Sequence, residues 1–118
     1  MADATVLTSG DSSVVVRTYA LTTADHTGSS VRVPEWDEKS IQVCGTWGGA
    51  TLVLEGSNDG VTFSTLRDPQ GIALSFTADG LKQVLEKVLE VRPRLSVVGS
   101  GAAVSAILLT RRANPMRT

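Results

Sequence analysis

One cysteine, Cys44, and one histidine, His26, are all that a chain of 118 residues offers of the two side chains most used for metal binding and nucleophilic chemistry. A lone thiol excludes an intrachain disulfide and a cysteine-rich metal site. A lone imidazole with no cysteine cluster argues against zinc. Cys44 falls in a strand-like segment, which predicts a buried structural thiol. His26 falls among small polar residues, which predicts a solvated loop position. Aromatic residues make up only 4% of the chain, so its core must be aliphatic. No run approaches the ~18 apolar residues of a membrane helix, so no membrane partner is expected. The opening Met1-Ala2-Asp3-Ala4-Thr5 has neither the basic nor the apolar region of a secretory signal, and no Sec export is expected.

Catalytic patterns are equally scarce. There is no Gly-x-Ser-x-Gly elbow to expose a serine nucleophile and no recognisable motif that sets two carboxylates in a pocket. Gly99-Ser100-Gly101 is too short and too late in the chain for a phosphate-binding loop. Ser57-Asn58-Asp59-Gly60 has calcium-compatible oxygens but lacks the twelve-position loop pattern, so it reads as a turn. The expectation is a protein that is not an enzyme and carries no cofactor and no metal.

What is present is a balanced, foldable composition. At 42% hydrophobic and 19% charged, the chain is long enough to bury one core. Its net charge of −1 lacks the basic excess of a nucleic-acid binder, so no direct nucleic-acid contact is expected. The charge is unevenly spread. Residues 1–40 carry three basic and six acidic side chains, a net of −3; residues 82–118 carry seven basic and two acidic, a net of +5. Two readings are open: the ends engage neighbouring subunits, or they neutralise each other within one fold.

Hydrophobic alternation with a period of two dominates. Val14–Leu21 reads as a first strand, with a short strand near Ser30–Val33. Ser40–Thr46 and Ala50–Gly56 flank Gly48-Gly49, which predicts a β-hairpin leading into a third strand. Val61–Leu66 follows, with Val61 and Phe63 on one face, and then Ile72, Leu74 and Phe76 after the Asp68-Pro69-Gln70-Gly71 turn. Leu81–Leu89 has helical spacing, and a short helical turn over 81–86 is expected before a strand from about Val88 to Val98, with Pro93 at an edge or bulge. Ala103–Arg111 is apolar on both faces and predicts a central strand. Turns recur about every ten residues, the spacing of a sandwich. The expected fold is all-β: an antiparallel β-sandwich, jelly-roll-like, with an arm over 1–13, the domain over 14–111 and a basic tail over 112–118.

The string Gly45-Thr46-Trp47-Gly48-Gly49-Ala50-Thr51-Leu52-Val53-Leu54-Glu55-Gly56-Ser57-Asn58-Asp59-Gly60, followed by Phe63, Leu66 and Asp68-Pro69-Gln70-Gly71, resembles small structural proteins of tailed bacteriophages. Val91-Arg92-Pro93 and the strand ending in Arg111 extend the likeness, which covers roughly residues 40–111. Similar proteins include head decoration or cement proteins. The resemblance implies a virion protein on the capsid surface, made in the host cytoplasm. Its partners would be the major capsid protein and further copies of itself, a dimer favoured over a trimer. The contacts expected from charge and position are Asp3 and Asp11 in the arm, Glu35, Trp36, Asp37 and Glu38 in an acidic loop, and Arg111, Arg112 and Arg117 at the basic end. The alternative is a tail or fibre module binding carbohydrate on an exposed tryptophan, Trp36 or Trp47.

Overall fold

The computed structural model describes residues 2–8, 14–32, 38–84, 86 and 88–111, and every regular element among them is a strand. In chain order these are β1 (Thr5–Thr8), β2 (Val14–Thr22), β3 (Val31–Arg32), β4 (Glu38–Thr46), β5 (Thr51–Ser57), β6 (Ser64–Thr65), β7 (Ser75–Phe76), β8 (Gly80–Val84), β9 (Glu90–Val97) and β10 (Ala103–Arg111). One sheet has the order β1-β2-β10-β4-β8; the other has β3-β9-β5-β6, with β7 also on β5. All of the strand pairings are antiparallel.

The pairing is nested. β2 lies on β10, β3 on β9, β4 on β8, and β5 on β6. The chain thus doubles back on itself around the β5–β6 connection and wraps across two sheets, which is the jelly-roll form of the β-sandwich. The inner faces hold the aliphatic core that the shortage of aromatics demanded. Leu21, Ile41, Val43, Val104 and Leu108 from the first sheet meet Leu52, Leu54, Val91 and Leu95 from the second, each at most 1% exposed. Tyr19 joins them and its hydroxyl donates to the Ser29 carbonyl at 2.9 Å, so the one polar atom on the ring is satisfied. Burial pushes its phenol pKa upward.

The expected central position of Ala103–Arg111 holds: β10 lies between β2 and β4 over its full length. Four other expectations need correction. Gly48-Gly49 forms the turn its residues demand, with Ala50 N–H donating to Trp47 O at 2.8 Å and φ of 54° and 84°, the signs of a type I′ turn. Yet β4 and β5 do not pair; the turn carries the chain from one sheet to the other. Turn chemistry sets the local reversal, whereas the partners of each strand are set by which face it must bury.

The expected helical turn over 81–86 is instead β8, which pairs with β4 from Lys39↔Val84 to Val43↔Gly80. Its apolar residues at helical spacing serve opposite faces: Val84 is buried and Leu81 is 65% exposed. The Val61–Leu66 segment is strand only at Ser64–Thr65, and Val61 projects from the preceding loop at 82% exposure. Residues 5–8, assigned to an arm because they are small and polar, add β1 to the sheet edge through Thr5↔Thr18 to Thr8↔Val15.

Candidate interaction surface

The two outer faces of the sandwich differ in chemistry. On the β3-β9-β5-β6 sheet, β5 is buried on both sides: Leu52 and Leu54 point to the core, while Val53, Glu55 and Ser57 point outward yet are at most 6% exposed. Glu55 is covered by its neighbours on β9. Arg92 Nε donates to Oε1 at 3.0 Å, and Arg94 donates to Oε2 through Nε at 3.1 Å and Nη2 at 3.0 Å. The Arg92 guanidinium also lies over the Phe63 ring, 3.9 Å from its centre. Desolvation pushes the Glu55 carboxyl pKa up, but the hydrogen bonds from Arg94 and Arg92 outweigh it, and the net shift is downward. A carboxylate held ionised by three charge-assisted donors is a structural clamp and a poor proton acceptor.

The loop after β5 is organised by Asp59. Its Oδ1 accepts the N–H groups of Val61 and Thr62 at 2.8 Å each and the Ser57 hydroxyl at 2.7 Å. Those donors hold its pKa down to about 2. An oxygen committed to three donors is oriented for a turn, which agrees with the turn reading of Ser57–Gly60. Asp68 plays the same part in the next turn, accepting from Ile72 and Gln70 N–H at 2.9 Å, with Lys82 Nζ 3.6 Å away.

The outer face of the β1-β2-β10-β4-β8 sheet is of another kind. Residues directly paired across an antiparallel sheet point the same way, so the register defines rows. One outward row runs Val16, Leu109, Ser40, Gln83; the next runs Thr5, Thr18, Ile107, Gln42, Leu81. Beyond them stand Ala20, Ser105 and Cys44, then Thr22, Ala103 and Thr46. None of the chain's 11 Lys and Arg or 12 Asp and Glu lies in these four rows. Three charged residues of the same strands, Arg17, Lys39 and Lys82, lie in the inward phase instead. Arg17 lies in the inner row with Leu108 and Ile41, and its Nη1 donates to Thr110 Oγ1 at 3.3 Å. Lys82 is in that row too, 5.7 Å from the Phe76 ring centre. Lys39 is inward and 2% exposed. Inward-pointing charge near sheet edges is a known device against edge-to-edge pairing; a large outward face without charge is not explained by it.

Of the residues expected to make contacts, Glu38 and Arg111 come together as direct partners on β4 and β10, in the row that closes the uncharged face at one end. Arg111 is exposed there. Asp3 is exposed too, but it precedes β1 near Tyr19, at the other end of β2. Asp3 and Arg111 therefore lie toward opposite ends of β2. Asp11, Glu35, Trp36, Asp37, Arg112 and Arg117 lie outside the described residues. Trp47, named with Trp36 as the exposed platform of the carbohydrate alternative, is half-buried against the core, and its indole N–H donates to Asp79 Oδ1 at 2.9 Å. Cys44 is not the buried thiol expected but half-exposed, on the uncharged face. Sequence reasoning missed both faces. The legible signal was there: in β2, β4 and β10 one alternation phase holds only Val, Ile, Leu, Ala, Ser, Thr, Gln and Cys until Glu38 and Arg111 end it.

No family model matches the sequence, and no curated protein matches it. Among solved structures, the fold is similar to the crystal structure of SPBc2 prophage-derived protein YomS, with a TM-score of 0.58, 11% sequence identity, and coverage of 89% of this chain and 98% of that chain. At that identity the likeness is one of fold, and it extends over nearly all of the prophage-derived protein.

Proposed function

We propose that the chain is a structural protein of a bacteriophage virion that decorates the capsid exterior and stabilises it by bridging neighbouring major capsid subunits, acting without catalysis and as a homo-oligomer. The observation that carries this reading is the shared jelly-roll architecture with a prophage-derived protein over 98% of its length, in a chain whose Gly45–Gly60 string independently resembles tailed-phage structural proteins. The mechanism is mechanical. A rigid sandwich presents flat faces and short loops, and each copy seated across a joint adds contacts that must break before the joint opens. Electrostatics offers a second surface for this work, since the exposed Arg111 end and the clamped Arg92–Glu55–Arg94 patch both present guanidinium groups.

The test is co-sedimentation of purified protein with heads assembled from the same source's major capsid protein. Saturable binding at a fixed ratio to capsid subunits is expected. Absence of binding to mature heads, with the protein still present in virions, would overturn the capsid assignment and move the protein to the tail or fibre.

A further inference from the structure

We infer that the uncharged outer face of the β1-β2-β10-β4-β8 sheet is where two copies of this chain meet, sheet against sheet, about a two-fold axis. The inference rests on the homo-oligomer part of the reading above and gives it a surface. The capsid assignment itself is not needed for it.

A two-fold contact sets one patch against itself, so any net charge on the patch faces its own copy. A surface selected to meet a different, charged partner would carry the complementary sign; these four rows carry none, and the row that closes them, Glu38 and Arg111, holds one charge of each sign. Solvent alone does not explain that, because surfaces facing only water normally intersperse both signs and expose few large aliphatics. Here Leu81 is 65% and Leu109 37% exposed, and Arg17, Lys39 and Lys82 in the same strands are turned to the other side.

Shape and size agree. The rows mix aliphatic side chains with hydroxyl and amide groups, which can pair across an interface without a salt bridge. With strands ~4.8 Å apart and ~3.4 Å per residue, the four uncharged rows cover on the order of 500 Å² in plan. Two copies together bury roughly twice that, about the 1,000 Å² that a specific interface must clear. Two sheets facing one another at ~10 Å with strands ~30° apart is the common aligned packing of sheet on sheet.

Cys44, the only thiol, stands on this face beside Ser105 and is half-exposed. It reports on the contact without any mutation. Sedimentation velocity from 1 to 200 µM should show a species near twice the 12.4 kDa chain mass, and alkylation of Cys44 should slow at least tenfold as that species forms. Leu81→Lys and, separately, Gln42→Glu each bring like charges face to face. Both positions are exposed, so melting of the isolated chain should hold while the dissociation constant rises at least tenfold. A monomer at 200 µM, a dimer untouched by both variants, or a Cys44 rate independent of concentration would each overturn the inference. If Leu81→Lys and Gln42→Glu leave the oligomer intact but abolish binding to heads, the face belongs to the capsid partner and the inference also fails. A wild-type dimer weakened by both variants, in a protein that does not bind heads, leaves this inference standing and removes the capsid assignment.

Discussion

The backbone N–H of Ser100 donates to the carbonyl of Gly48 at 2.9 Å, tying the β4–β5 turn to the β9–β10 turn at one end of the sandwich. The two chains pass so closely that a Cβ at Gly48 would collide with the Ser100 carbonyl, whereas one at Gly49 would meet open space. Both glycines have positive φ. Gly49→Ala should therefore cost only the left-handed backbone penalty, about 1 kcal/mol, and Gly48→Ala about 2–4 kcal/mol, because backbone must also move. Urea unfolding of the two variants checks the difference; equal losses would mean that the close approach contributes nothing.

Glu55 and its two arginines make the second prediction. Glu55→Gln keeps the size but removes the charge and turns an amide N–H₂ toward guanidinium donors. The loss should be about 1–3 kcal/mol, between the values for exposed and fully buried pairs. Because Glu55 is only 5% exposed, most of the loss should persist in 0.5 M salt, which screens exposed pairs. A loss that vanishes in salt would place the clamp in solvent.

Thr110 is fully buried although it is polar, and its hydroxyl donates to Val15 O at 3.1 Å while accepting from Arg17 at 3.3 Å. Thr110→Val conserves volume and leaves both partners short of a bond. A loss of about 1–2 kcal/mol in thermal or urea unfolding is expected; a neutral outcome would mean that water replaces the hydroxyl.

Much of this fold was legible in the sequence because its signals are local. Period-two alternation located β2, β4, β5 and β10, and paired glycines located the turn at 48–49. What failed were inferences that needed the partner strand. The Gly48-Gly49 turn looks identical in sequence whether its strands pair or separate into two sheets. Leu81, Val84 and Val88 fit a helix because an edge strand with an exposed leucine breaks its own alternation. The contact surface was missed for a related reason. Attention to the charged ends favoured Asp3 and Arg111, yet the organised feature is four successive uncharged rows in one phase of three central strands, ended by Glu38 and Arg111, and register is what aligns those rows into a face.

The acid limb of stability should be set in part by Asp59. Its folded pKa is held to about 2 by the Val61, Thr62 and Ser57 donors, below its ordinary value of 3.8. A depressed carboxyl stabilises the fold above the unfolded-state pKa and loses that contribution as pH falls through the folded one. The window is therefore roughly pH 4 down to 2, and the lowered carboxyls of Glu55 and Asp68 act in the same direction. Asp59→Asn keeps an acceptor but cannot titrate, so it should be less stable than the wild type at pH 7 and approach it as pH falls toward 2. Urea midpoints measured from pH 7 to 2.5 read this directly. A gap that stays constant across that range would mean that the turn is held by the geometry of the acceptor and owes nothing to its charge.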